Sequence, residues 1–190
     1  LENQLFPFPA TMIVSNYINP MIVPEDFDND FELEIITKDG KTLSATTRIL
    51  PIVPIDSVVV EFDEDNESLA RLLTYFQDDP NQQNFYRRML HYGNLESGLE
   101  FYFQTDDDFV DDGTVVFGSG FDYLEGDTVI NTIYHIDEPY YNFLQSVEGA
   151  VDANGNPFAQ PGALLSNIEG DALGIFTGLS FDREITIIEK

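Results

Sequence analysis

The chain has 190 residues, 43% hydrophobic and 13% aromatic, with 8 Lys+Arg against 35 Asp+Glu for a formal net charge of −27. This is enough apolar material for a folded core at single-domain length, and too few cations to bind a phosphate backbone or dock on anionic lipid. The absence of cysteine removes disulfides, thiolate zinc sites and cysteine nucleophiles together.

Residues 1–30 carry four prolines and little periodicity, and read as an irregular lead-in or the remnant of a preceding domain. A short strand is expected at Thr11–Tyr17, inside an apolar stretch that Asn16, Asn19 and Pro20 break well short of a membrane span. Glu2 stands where a signal peptide would carry cations, and with Leu1 in place of Met a processed or truncated chain is expected.

From residue 31 the pattern changes, and residues 31–190 read as the main β domain. Phe31, Leu33 and Ile35 alternate with Glu32 and Glu34, and Leu43, Ala45 and Thr47 resume the alternation after Asp39-Gly40. Period two places alternate side chains on opposite faces of a strand, and Asp-Gly between two such runs predicts a hairpin with a type I′ turn. Pro51 and Pro54 mark a connector before the strand carrying Val58, Val60 and Phe62. Leu69–Gln77 fits two templates: Leu69, Leu72, Leu73 and Phe76 make a helical stripe with Ser68 as N-cap, and Leu69, Arg71, Leu73 and Tyr75 make a strand face. Strands are expected at Phe85–Tyr92, Leu99–Gln104, Val115–Phe117 and Thr128–Ile136. A helix is predicted at Glu138–Val147, capped by Asp137, with Tyr140, Phe143, Leu144 and Val147 on one stripe and Gly149 as its stop. A long loop over 152–172 and closing strands at Gly174–Thr177 and Arg183–Ile188 complete the chain. The whole reads as a mainly β fold: an antiparallel β-sandwich with one late amphipathic helix and a long C-terminal loop.

Several groups invite chemistry. Asp106, Asp107, Asp108, Asp111 and Asp112 crowd one loop before Gly113. Such a loop suits calcium, which takes six to eight oxygens, and equally suits a solvated acidic turn; Asp107, Asp108, Asp111 and Asp112 are the candidate metal ligands. Asp152, Asn154 and Asn156 imitate the start of an EF-hand, but Pro157 and Ala163 occupy the positions that need Gly and Glu, so turn-making is the better reading. His91 and His135 are the only histidines, and nothing near them in sequence has ligand or triad spacing. Arg87 and Arg88 should face opposite ways on a strand, with one buried against a carboxylate to fix register or else engaged with an anion. The tyrosines at 86, 92, 102, 140 and 141 read as core residues, or as a stacking floor for sugar. No catalytic residue is assigned and no cofactor is implied. The net charge suits a saline or secreted setting, or attraction of cations or a basic partner.

The order of motifs resembles a family of Bacteroidota outer-membrane lipoproteins known as domain of unknown function 4249. The resemblance is carried by Phe31–Thr47 with Asp39-Gly40-Lys41, by Ile55-Asp56-Ser57, and by Asp79-Pro80 followed by Asn84-Phe85-Tyr86-Arg87. Asp107-Asp108-Phe109 with Asp112-Gly113, and Tyr140-Tyr141 with Leu144 and Ser146, continue it. Asn156-Pro157-Phe158, Pro161, Ser166 to Gly170 and Gly174-Ile175-Phe176 complete it, over roughly residues 31–178. It implies a lipid anchor in the outer membrane at the cell surface, a preceding immunoglobulin-like portion of which residues 1–30 are either a remnant or an irregular lead-in after it, and a place beside a TonB-dependent receptor. It implies no activity. The resulting expectation is a non-catalytic accessory or ligand-binding module; the alternatives are a carboxylate-based glycan hydrolase and a calcium-stabilised structural domain.

Overall fold

The computed structural model describes residues 26–96, 99–108, 113–153 and 162–190. The strand expected at Thr11–Tyr17 lies outside them. The elements are β1 (Asp30–Ile36), β2 (Thr42–Arg48), β3 (Ile55–Phe62), β4 (Ala70–Gln77), β5 (Phe85–Tyr92), β6 (Leu99–Asp106), β7 (Thr114–Gly118), β8 (Thr128–Ile136), α1 (Glu138–Ala153) and β9 (Ser180–Ile187). They form a β1-β2 hairpin, a three-stranded sheet in the order β3-β4-β7 and a four-stranded sheet in the order β6-β5-β8-β9. Every pairing is antiparallel. The fold is the expected β-sandwich with one late helix.

The four-stranded sheet is the middle layer. One face packs on the three-stranded sheet through Phe76, Tyr86, Val115, Phe117 and Ile133, and through Ala70, Leu72, Leu90, Tyr123, Val129 and Ile188. The opposite face packs under α1 through Phe85, Met89, Tyr134, Ile136, Tyr140 and Leu144. Burial on both faces explains why β5 and β8 are buried along almost their whole length instead of alternating.

The hairpin forms where expected, with a different turn. Thr37 N–H donates to Lys41 O (2.9 Å) and Gly40 N–H to Thr37 O (3.0 Å), and Gly40 has φ +83°. Among the described residues no non-glycine has positive φ, so the two positive angles of a type I′ turn are absent. The turn is type I closed by a left-handed Gly40 bulge, the usual three-residue hairpin.

Residues 70–77 are strand. The buried side chains are Ala70, Leu72, Thr74 and Phe76, the opposite set from the one carrying Arg71, Leu73 and Tyr75. Pairing with both β3 and β7 fixes this register. The helix runs past Gly149 to Ala153. The return segment lies along this stretch, where Leu165 N–H donates to Ser146 Oγ (3.0 Å) and a Cβ on Gly162 would sit 3.4 Å from Ala150 N. Tertiary packing thus carries the helix through a glycine that would otherwise end it. Gly174–Thr177 is not a strand. The amide of Asn167 takes the part of a neighbouring strand, donating to Phe176 O (2.7 Å) and accepting from Phe176 N–H (2.9 Å).

Asp137 ties these pieces together. Oδ1 accepts from Tyr140 N–H (3.0 Å), capping α1, and from Thr177 Oγ1 (3.2 Å), while Oδ2 accepts from Thr47 Oγ1 (2.8 Å) of β2. Thr47 Oγ1 in turn accepts from Gly178 N–H (3.1 Å), where a Cβ would meet Arg48 O at 3.0 Å. Asp137→Ala should therefore lower unfolding free energy by about 1–2 kcal/mol, the cost of a cap and its partner hydroxyls, read as a lower urea midpoint.

Arg88 lies between the two sheets and is fully buried. It meets no carboxylate. Nε donates to Asn131 Oδ1 (3.0 Å), Nη1 to Gly118 O (2.9 Å) and Nη2 to Thr74 Oγ1 (2.9 Å), and Asn131 Nδ2 also donates to Thr74 Oγ1 (2.9 Å). The expected charge pair is thus replaced by neutral acceptors from β4, β7 and β8. Burial pulls the guanidinium pKa down to about 10, which leaves it charged at neutral pH. Arg88→Met alone should destabilise by about 3–5 kcal/mol, because Asn131 and Thr74 lose their partner. Arg88→Met combined with Asn131→Leu and Thr74→Val should cost less than Arg88→Met alone; equal or greater loss in the triple variant would contradict this account.

Candidate functional site

The site begins at the residue before β5. Asn84 is buried, and its Nδ2 faces Asp78 Oδ1 (3.0 Å), Asp79 O (3.0 Å), Gln82 O (3.1 Å) and Asp107 Oδ2 (3.2 Å). Four acceptors fix the orientation of the amide, so Oδ1 must point the other way. The turn supplying two of them is held by Asp79, whose carboxylate accepts from Asn81 N–H (3.0 Å) and Asn81 Nδ2 (2.8 Å) and is held below the usual carboxylate range by those bonds. Asn84 N–H donates to Asp107 Oδ2 (2.7 Å), joining the start of β5 to the end of β6.

Two aromatic groups complete the junction. Tyr86 O–H donates to Asp78 Oδ1 in a short bond, and burial followed by that bond drives the phenol far above its ordinary pKa. Tyr86 stacks on His135, with centroids 5.5 Å apart at 27°. His135 Nδ1 lies 2.9 Å from Pro51 O and Nε2 lies 3.2 Å from Asn84 Oδ1. Burial lowers His135, against the opposing pull of the Pro51 bond, Asp78 and Asp107. A neutral ring donating through Nδ1 leaves its Nε2 lone pair opposite an oxygen; protonation would make both contacts favourable.

The junction lies at the floor of two adjoining clefts. One, of ≈ 320 Å³, is walled by Ile52, Val53, Pro54 and Gln77; the other, of ≈ 410 Å³, by Phe27, Arg48, Leu50 and Glu138. Pro51, Gln82, Asn84 and His135 line both. Chemically this is a rigid hydrogen-bonding floor. Asp78 and Asp107 are engaged as acceptors from Asn84 and Tyr86.

Of the acidic loop, Asp106 Oδ2 accepts from Tyr141 O–H (3.3 Å), Asp107 holds Asn84, and Asp108 Oδ1 accepts from Gln83 Nε2 (3.3 Å). Asp111 and Asp112 lie outside the described residues, as do Asn154 and Asn156; Asp152 is in α1. Among the described residues no group of three or more His, Asp or Glu could hold a metal ion.

The two histidines lie on opposite faces of the middle sheet: His135 stands across from Tyr86 on the sandwich face, and His91 across from Ile130 on the helix face. They do not form one site. Arg87 and Arg88 face opposite ways as expected, but both are buried. Arg87 Nη1 donates to Tyr140 O–H oxygen, and its guanidinium lies 5.5 Å from the Tyr102 ring centroid and 5.8 Å from that of Tyr140. Tyr86 and Tyr140 are core residues, whereas Tyr92 and Tyr102 are about half exposed. Burial, followed by the charges of Asp122 and Asp127, raises Glu100, an exposed residue of β6 that lines neither cleft.

Sequence reasoning missed Asn84, Asp78, Tyr134 and Arg183. The Asp79-Pro80-Asn81 turn just before a strand was a usable pointer to Asn84. Nothing local points to Arg183, which reaches its neighbours only through the β8–β9 register.

The family model described as Domain of unknown function (DUF4249) matches residues 15–185. The chain belongs to the DUF4249 family. No curated protein and no solved structure matches it. Among the described residues of this DUF4249 chain, no helix is long and apolar enough to cross a membrane.

Burial lowers His135 and, with the charge of Arg183, His91. The unfolded chain, with histidines near ~6.5, then binds protons that the folded chain resists, so this part of the stability is complete above that pH and is lost as pH falls. The fall in urea midpoint between about pH 7.5 and about pH 5.5 should be smaller in His91→Gln/His135→Gln than in the unaltered protein. An identical response in both proteins would show that neither ring is the titrating group.

Proposed function

We propose that this chain is a non-catalytic module of a lipid-anchored outer-membrane protein, exposed at the cell surface, that serves as an accessory to a TonB-dependent receptor. Membership of the DUF4249 family supports the setting. The observation that carries the binding reading is the edge of the middle sheet, with which no further described strand pairs. β9 ends the strand order on one side, and its Ile185 and Ile187 are 60% and 54% exposed. β6 ends the other side, with Phe101 and Tyr102 also exposed. An edge strand with unpaired backbone groups and apolar side chains is a template for pairing with a strand of a partner, and proteins usually blunt such edges. Here β9 keeps only Asp182, Arg183 and Glu184 as charged neighbours of the two isoleucines.

The glycan-hydrolase alternative would want two shielded carboxylates facing each other with a raised pKa. Of the carboxylates lining the clefts, Asp78 is engaged with Asn84 and Tyr86, Asp79 with Asn81, and Asp137 with Thr47 and Tyr140, and Glu100 stands on an exposed strand.

Purification of the native full-length protein in mild detergent should recover a large β-barrel protein with it. Ile185→Lys/Ile187→Lys should release that partner while leaving the melting temperature of the isolated chain within a few degrees, because both side chains are solvent-facing. Recovery of the unaltered protein alone, or retention of the partner by the double variant, would count against docking at this edge.

A further inference from the structure

We propose that the helix-covered face of the four-stranded sheet holds a carboxylate or phosphate oxyanion among Arg87, Arg183 and His91.

In a chain with 35 acidic and 8 basic residues, every cation should find a carboxylate. Among the described residues Lys41, Arg48, Arg71 and Lys190 do so, pairing with Asp171, Asp30, Glu61 and Glu67. Of the described cations without such a pair, Lys38, Arg87, Arg88 and Arg183, the two arginines Arg87 and Arg183 lie on the same face of the same sheet. An interior guanidinium without counter-charge costs several kcal/mol, and among the described residues no carboxylate pairs with Arg87 on this face.

Three buried side-chain nitrogens of this face are left over. Arg87 Nε, Arg183 Nη2 and His91 Nδ1 are buried and have no hydrogen-bond partner. Arg87 and His91 are 3% and 2% exposed. Buried polar atoms are nearly always satisfied, and a bound water or ion is among the few explanations for a group of them. The register brings the three together. Arg87 lies beside Tyr134, Arg183 beside Thr132, and His91 beside Ile130, on three successive inward positions of β8. The Tyr134 hydroxyl feels the charge of both arginines, and His91 feels that of Arg183.

The neutral groups fit the same purpose. Arg183 Nε donates to Thr132 Oγ1 (2.9 Å), and its guanidinium lies 4.9 Å from the Phe181 centroid. Arg87 is held by the Tyr140 hydroxyl and flanked by two tyrosine rings. Hydroxyls and rings orient a guanidinium without neutralising it, and the Tyr140 hydroxyl, accepting from Arg87, keeps its own proton free to donate to an oxyanion. At the strand edges Arg183 is partly exposed and Tyr102 and Ile185 are open to solvent.

The test is titration of the full chain with inorganic phosphate and, separately, with succinate, each against sodium chloride at matched ionic strength. Binding should raise the melting temperature by about 5–10 °C at a hundredfold excess over Kd. A response to phosphate alone or to succinate alone identifies which oxyanion the site takes. Arg87→Gln/Arg183→Gln should abolish the response, and in the unaltered protein the arginine Nε–H and His91 ring resonances should move during the titration. No shift beyond the chloride control with unmoved resonances, or an undiminished shift in the double variant, would overturn the proposal. Neither outcome bears on receptor docking at β9, which the partner-recovery experiment reads separately.

Discussion

A charged guanidinium sits between the two sheets of this protein without an opposing charge. Arg88 is its largest fully buried side chain, and it is satisfied by one donor–acceptor contact each to β8, β4 and the end of β7. A planar fork with fixed donor directions can be satisfied this way only if the three acceptors stand at set positions, so the group fixes how the sheets lie against each other. Apolar neighbours such as Phe76, Val115 and Ile133 supply the area that drives the sheets together, but area is non-directional. The polar contacts select one alignment among those the apolar surface would permit.

The same logic recurs at smaller scale. Asn84 gathers a turn, the start of β5 and the end of β6 around one amide, and its fixed orientation sets the environment of His135 across the sheet. Asp137 gathers β2, the helix start and the return segment around one carboxylate. In each case a single buried polar side chain satisfies backbone or hydroxyl groups from elements distant in sequence. Each such node is also vulnerable, since removing its centre leaves several partners unsatisfied at once.

Charge is segregated across the layers. Among the described residues the ion pairs are exposed, at Lys41–Asp171, Arg48–Asp30, Arg71–Glu61 and Lys190–Glu67, and contribute little individually. The interior holds arginines instead, in a protein whose net charge is −27. That positive interior costs stability where no carboxylate compensates it. On the helix face, where hydroxyls and rings stand in for carboxylates around Arg87 and Arg183, it also creates a place for an anion to enter.

Alternation of side chains along Phe31–Ile35 and Val58–Phe62, the Asp39-Gly40 turn and the stripe from Tyr140 to Val147 were legible from the sequence, because strand, turn and helix periodicities are local properties of the backbone. The family resemblance was legible for a related reason, since short motifs in fixed order survive without knowledge of what they touch. The choice of strand for residues 70–77, the continuation of α1 through Gly149 and the loss of a strand at Gly174–Thr177 were decided only by tertiary contacts: two flanking strands, a return segment on the helix, and one asparagine amide replacing a strand partner. The pairing of arginines was likewise undetermined by composition. Thirty-five carboxylates offered partners, but the register of β5, β8 and β9 carried Arg87, Arg88 and Arg183 to places where no carboxylate among the described residues reaches. Neighbours along the chain dictate local shape; which groups meet across a sheet depends on register, and register is settled by the packing of the whole molecule.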